Sequence, residues 1–261
     1  MKKTLIALAV ATTAFSGAAM ADWVQGGSGG SVDISGILTP STSDSPWEVM
    51  VGDAVPGLDA NVETGQTIVT IPVSTVIPVL GIRNTDVRTF AGQSGMTPQI
   101  DFNNALDTSA FSAGKTTLTL DVKNASQEVI GSLSTDLTAV AERSYFNASN
   151  GNGGARGLFA SAAGYAFYGG VGVSDSGVLD TASGYALAPD LISDILDNYE
   201  RSSNVVASAG EAVFSNTSLT YSGYYVSGIQ AGETITITLN EGAAGDSINW
   251  TASLPVTVTY L

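Results

Sequence analysis

The sequence predicts an all-β protein, an antiparallel sandwich or barrel of short strands. Two observations carry this. Short segments alternate apolar and polar residues with a period of two, the pattern of strands buried on one face. Clusters of Gly, Asn, Asp and Ser separate them, as turns do in sandwiches and barrels. The composition agrees: the chain is 44% hydrophobic and 13% charged, which suits a packed core and not a disordered chain.

The chain begins with Met1-Lys2-Lys3, a short apolar run, and Ala19-Met20-Ala21. A basic start, a short hydrophobic region and an A-x-A site predict an export signal cleaved after Ala21. The hydrophobic region is too short for an anchor, and no later run reaches the roughly 18 apolar residues of a spanning helix. Next comes Gln25-Gly26-Gly27-Ser28-Gly29-Gly30, a tether that cannot pack a core. Behind it Val32, Ile34, Gly36 and Leu38 share one face of an extended segment, and Asp33, Ser35 and Thr39 the other, with Ile37 the apolar exception. Alternation alone leaves two readings open: a first strand of this fold, or a strand meant for another molecule.

Strands are predicted at Trp47–Val51, Thr67–Val73 and Pro78–Ile82. Thr116–Val122 and Val129–Leu133 form a hairpin across Lys123–Glu128. Further strands are expected at Thr220–Ser227 and Thr234–Leu239. The middle differs. Val140 to Asn204 reads as a partly helical insertion, with an Asn/Gly/Ser-rich loop at Tyr145–Gly154 and a short Ala-rich helix at Gly157–Phe167. A second helix is expected at Pro189–Arg201, where Leu191, Ile192, Ile195, Leu196 and Tyr199 share a face. The last segment, Trp250 to Leu261, places Trp250, Ala252, Leu254, Val256, Val258 and Tyr260 on one face. A long apolar strand at the chain's end is an aggregation hazard unless something covers it. An outer-membrane β-barrel is an alternative, since such barrels also end on an aromatic strand; low aromatic content and the expected helix speak against it.

Charge and composition exclude much. The formal net charge is −15, and losing Lys2 and Lys3 with the signal makes the mature chain more negative still. That opposes binding to nucleic acid or anionic lipid. The absence of cysteine and histidine rules out disulfides, Ser-His-Asp and Cys-His catalysis, and thiolate or imidazole metal sites. Gly151–Gly157 resembles a phosphate loop, but Arg156 stands where a glycine is required. Nothing selects a catalytic carboxylate pair or a calcium loop. No catalytic residue, metal or cofactor is expected, and the protein is not expected to be an enzyme.

The segments Trp47-Glu48, Pro98-Gln99-Ile100, Val122–Ala125, Phe167–Gly170, Tyr225–Ile235 and Trp250–Tyr260, with Gly30–Gly36, together resemble the kappa-class chaperone/usher fimbrial subunits, the family of K88-type adhesive fimbriae. The resemblance runs along the whole chain. It implies an incomplete immunoglobulin-like β-sandwich lacking its final strand, with residues 22–40 as an N-terminal donor-strand extension, residues 41–261 as the pilin domain, and a partly helical insertion near 140–204. A periplasmic chaperone fills the groove first. At the outer-membrane usher, the extension of the next fimbrial subunit replaces it. Val32, Ile34 and Leu38 are then plugs, and Gly36 the point of closest backbone approach. Leu254, Val256, Val258 and Tyr260 line the groove and meet the chaperone. The implied location is a cell-surface fimbrium reached through the periplasm. Subunits of the family are often adhesins for host glycoconjugates; by residue type, Tyr145, Phe146, Asn147, Asn150, Asn152 and Arg156 make a candidate glycan site.

Overall fold

The computed structural model describes residues 45–63, 65–85, 87–240 and 248–261. The donor-strand residues Val32, Ile34, Gly36 and Leu38 lie outside them. The described chain forms thirteen strands: β1 (Trp47–Val51), β2 (Ile68–Pro72), β3 (Ile77–Asn84), β4 (Phe90–Ala91), β5 (Pro98–Asp101), β6 (Lys115–Lys123), β7 (Val129–Asn147), β8 (Asn152–Leu158), β9 (Val206–Gly210), β10 (Thr220–Ile229), β11 (Thr234–Leu239), β12 (Thr251–Ala252) and β13 (Thr257–Tyr260), with one α-helix, α1 (Thr181–Leu191).

The 19-residue β7 organises the sheet. Its first half pairs with β6 on one edge and β11 on the other; its second half pairs with β8 and β10. All four partners are antiparallel. Beyond β10 lie β3 and then β1, and beyond β11 lies β2. Strands β5 and β13 form a separate two-stranded sheet. Among the described residues β1 pairs only with β3 and β2 only with β11, so no pairing closes a barrel. The fold is an all-β sandwich.

The β6–β7 hairpin has the predicted partners, with Leu120 opposite Leu133 and Val122 opposite Gly131. Asn124 organises its turn by accepting from the backbone N–H groups of Ser126 and Glu128. The alternation of Leu118 and Val122 against Thr117, Thr119 and Asp121 separates buried from exposed positions as a half-buried strand requires. Beyond Leu133, β7 continues through Val140 to Asn147. Residues 140–147, grouped by sequence with a helical insertion, are part of the longest strand.

The main core packs Trp47, Phe90, Phe167, Phe214 and Tyr221 edge to face or tilted, with centroids 5.0–6.3 Å apart. Trp47 Nε1–H donates to the Met96 carbonyl and Tyr225 Oη–H to that of Gly170, so neither ring is buried at the expense of its polar atom. A second apolar cluster lies on the opposite face of β7 and β10. Here Val140, Tyr224 and Val226 meet Ala188, Leu191, Ile192, Ile195 and Tyr199.

Both helix expectations need correction. The α-helix starts at Thr181, because the Asp180 carboxylate accepts from the N–H groups of Ala182 and Ser183 and caps it. Pro189 therefore lies in the last turn rather than the first. Residues 192–199 form successive turns, with Ile195, Asp197 and Tyr199 each bonding back three residues. Three-residue turns keep the spacing that brings Ile192, Ile195 and Tyr199 onto the sheet, so the apolar face exists without the helix. At 157–167 there is no helix: Leu158 ends β8, and Gly164 and Phe167 adopt φ of +97° and +62°, which a right-handed helix cannot include.

Candidate functional site

The C-terminal segment is the first candidate. Its predicted faces are present: Trp250, Ala252, Leu254, Val256, Val258 and Tyr260 are half-buried against the main core, and Thr251, Ser253, Pro255, Thr257 and Thr259 are exposed. It is not one strand, however. Thr251 and Ala252 pair with Lys123 and Val122 of β6, whereas Thr257–Tyr260 pair with Pro98–Asp101 of β5. The chain changes partner across Ser253–Val256, where Pro255 lacks the N–H that a ladder needs.

Two features mark this segment as unfinished. None of its six core-facing residues is fully buried. On β6, Leu118 and Val122 are 2% and 0% exposed, while Leu120 between them on the same face stays only half-covered. The core is thus thin along this line. The second feature is an edge left unpaired among the described residues. Thr97 and Leu261 exchange both backbone hydrogen bonds. Antiparallel pairs alternate between bonded and non-bonded, so Thr259–Gln99 and Thr257–Asp101 are the bonded pairs. The N–H and C=O groups of Val258 and Tyr260 therefore point away from β5. No strand among the described residues pairs with that side. β5 itself is closed: its far edge bonds to the 167–168 segment, with Ile100 N–H donating to the Tyr168 carbonyl.

An apolar half-covered strand whose outer edge is unpaired among the described residues offers the main-chain groups and the apolar surface on which strand addition draws. A family model described as "Fimbrial, major and minor subunit" matches residues 1–261. The chain belongs to the K88 fimbrial family. It is 31% identical to K88 fimbrial protein AB of Escherichia coli over the full length of both chains. K88 fimbrial proteins AD and AC of the same organism are each 30% identical over their full lengths. The chain is a structural subunit of a cell-surface adhesive fimbria and assembles with other subunits. Among the described residues no helix is long and apolar enough to cross a membrane.

The second candidate is the β7–β8 hairpin, which carries every residue singled out for glycan binding. Tyr145 faces Gly154, Phe146 faces Gly153 and Asn147 faces Asn152. Alternation places Tyr145, Asn147, Asn152 and Arg156 on one face and Phe146 on the other. Asn147 and Asn150 shape the turn: their side-chain oxygens accept from the N–H groups of Ser149 and Asn152. Their acceptors are occupied; of the rest, Tyr145 and Arg156 are half-buried on the face that carries the main core, Tyr145 packing against it, and Asn152 is exposed near the turn. Sequence reasoning missed two members of this face. Arg143 stands directly opposite Arg156, and its guanidinium lies 4.9 Å from the Tyr145 ring and 5.7 Å from that of Tyr221. Tyr221 of β10, opposite Tyr145, is the other; the hairpin register would have found Arg143, and nothing local in the sequence points to Tyr221.

On the reverse face of β7 lies Glu142, 1% exposed. Arg201 grips it with Nε at 2.6 Å and Nη2 at 2.8 Å, Tyr199 Oη–H donates at 2.7 Å, and Tyr224 Oη–H approaches at 3.4 Å. The Arg201 guanidinium also lies 3.8 Å from the Tyr185 ring centroid. The hydrogen bond to Glu142 holds the Arg201 pKa above its usual value. Burial, reinforced by the Glu142 charge, raises that of Tyr199. This cluster ties the segment after α1 to the sheet. All of its acceptors are engaged, so it is structural.

Proposed function

We propose that this subunit polymerises by donor-strand exchange. The groove beside β13 receives the N-terminal extension of a neighbouring subunit, with Val32, Ile34 and Leu38 as plugs and Gly36 at the closest backbone approach. The observation that carries this reading is the open edge of β13 above a half-covered apolar face. Val258 and Tyr260 offer two donors and two acceptors there, and each plug gains about 1.5–3 kcal/mol on full burial. A chaperone strand occupies the same edge in the periplasm, against Leu254, Val256, Val258 and Tyr260. It yields to the next subunit at the outer-membrane usher. The turn end of the β7–β8 hairpin, with Tyr145, Asn152 and Arg156, binds a host saccharide.

The test is direct. Purified subunit is mixed with a peptide spanning Ser31 to Thr39, and complex formation and thermal midpoint are followed. The expected result is a one-to-one complex with a raised midpoint, blocked by Ile34→Asp or Gly36→Val in the peptide. Equal stability with and without peptide, or binding that ignores both substitutions, overturns the assignment.

A further inference from the structure

The hairpin face carries an electrostatic arrangement that the fold does not explain. Arg143 and Arg156 stand directly across the β7–β8 ladder, where like charges destabilise a sheet. The chain has 24 acidic residues and 9 basic ones, so acidic partners are plentiful. Yet the ion pairs found among the described residues engage Arg83, Lys115 and Arg201 and leave Arg143 and Arg156 out. Arg143 Nε is buried without a hydrogen-bond acceptor. Burial pulls the Arg143 guanidinium below its usual pKa, and the neighbouring Arg156 charge adds to this.

The surroundings hold the two guanidiniums in place. Tyr145 and Tyr221 stack beside Arg143. Arg156 lies over Gly210 of β9, where an added Cβ would come within 2.5 Å of Nη1. Gly154 opposite Tyr145 keeps the face low, since a Cβ there would already reach the ring at 3.3 Å. Both arginines are half-buried. Two underused donor groups on one face of the hairpin suit a carboxylate or sulfate oxygen pair.

We propose that Arg143 and Arg156 form an anion subsite for an acidic saccharide, taking the carboxylate or sulfate of a charged sugar whose ring lies against Tyr145 and Asn152. This rests on the saccharide-binding reading above. The net charge narrows the anions that can reach the site: a strongly negative protein repels polyanions and acidic proteins most at long range, so among anionic ligands a sugar bearing a single charged group approaches at least cost. A bound anion would also relieve the repulsion between the two arginines.

The experiment titrates the peptide-complemented subunit with 3′-sialyllactose, lactose 3-sulfate and lactose, by calorimetry at low salt and again at 0.5 M NaCl. The expected result is at least tenfold tighter binding of one or both acidic sugars than of lactose, with the advantage lost in high salt. The sialylated and sulfated arms identify the anion. Arg156→Gln should bring the affinity for the acidic sugars down to that for lactose, without lowering the thermal midpoint, because it deletes a like-charge contact. Arg143→Lys keeps the charge but loses the fork, and should retain only part of the advantage. Equal affinity for all three sugars, or an acidic preference that survives Arg156→Gln, overturns the anion subsite and leaves saccharide binding standing. Binding of none of the three overturns both.

Discussion

Arg201→Met tests the Glu142 cluster most sharply. Glu142 is 1% exposed and Arg201 supplies two of its hydrogen bonds, at 2.6 and 2.8 Å. Methionine keeps much of the aliphatic stem but leaves the carboxylate buried and without a counter-charge, since Tyr199 and Tyr224 offer only neutral donors. Removing one partner of a buried pair costs about 3–5 kcal/mol. The side chain of Arg201 is 25% exposed, and water reaching its outer edge pulls the expectation to the lower end, about 3 kcal/mol. At ~2–4 °C per kcal/mol for a domain of this size, the thermal midpoint should fall by roughly 6–12 °C. The assay is thermal unfolding of the peptide-complemented subunit, with Glu142→Leu and the double variant completing a cycle. The double variant should recover most of the loss, because an apolar pair of similar volume replaces the ion pair at little cost. A single-variant loss below about 1 kcal/mol, or a double variant no better than the sum of the singles, would refute the reasoning.

Other predictions follow from the same structure. Val258→Pro removes an N–H that faces the free edge and spares the bonds to β5, so the isolated subunit should fold normally while its complex with the Ser31–Thr39 peptide weakens by about 0.5–1.5 kcal/mol; a loss confined to the isolated subunit contradicts the edge assignment. Hydrogen bonds from Ser183, in side chain and backbone, hold the Asp180 pKa below its usual 3.8. A depressed folded-state value means that the stabilisation is present at neutral pH and is lost as pH falls through the folded pKa. Asp180→Asn should therefore be less stable than wild type at pH 7, with the difference closing below about pH 4; a gap of constant size across acid titration is the contrary outcome. Gly169→Ala should severely destabilise the fold, because the backbone is left-handed there (φ +86°) and a Cβ would sit 1.9 Å from the Ile100 carbonyl oxygen. Urea midpoints read this, and an unchanged midpoint would show that the 167–170 loop can move off β5.

The hairpin face shows where the sequence stopped being legible. Tyr145, Asn147, Asn152 and Arg156 could be grouped by residue type because they are close along the chain. Phe146 was grouped with them although strand geometry sends it to the other side. Arg143 and Tyr221 were missed, the second because it arrives from β10, some 75 residues away. The terminal segment divides similarly. Its two faces were readable, since side-chain direction in a strand depends only on position along it. The break between β12 and β13, and the open edge beyond, depend on which strands lie alongside.

The sequence by itself determined the all-β class, the β6–β7 hairpin, the inward face of the last strand and the family resemblance. These are local periodicities or collinear motifs. The tertiary structure alone decided that β7 pairs with four strands and that the helix is capped by Asp180 and starts at Thr181 rather than near Pro189. It also decided that Glu142 is buried with Arg201, and that Arg143 faces Arg156. Each of these depends on pairing between distant segments, and hydrogen-bond registry and burial are collective properties that no single stretch encodes. The last strand belongs to both lists: its alternation announced a core-facing strand, and only its neighbours among the described residues left that strand half-covered and unpaired along one edge.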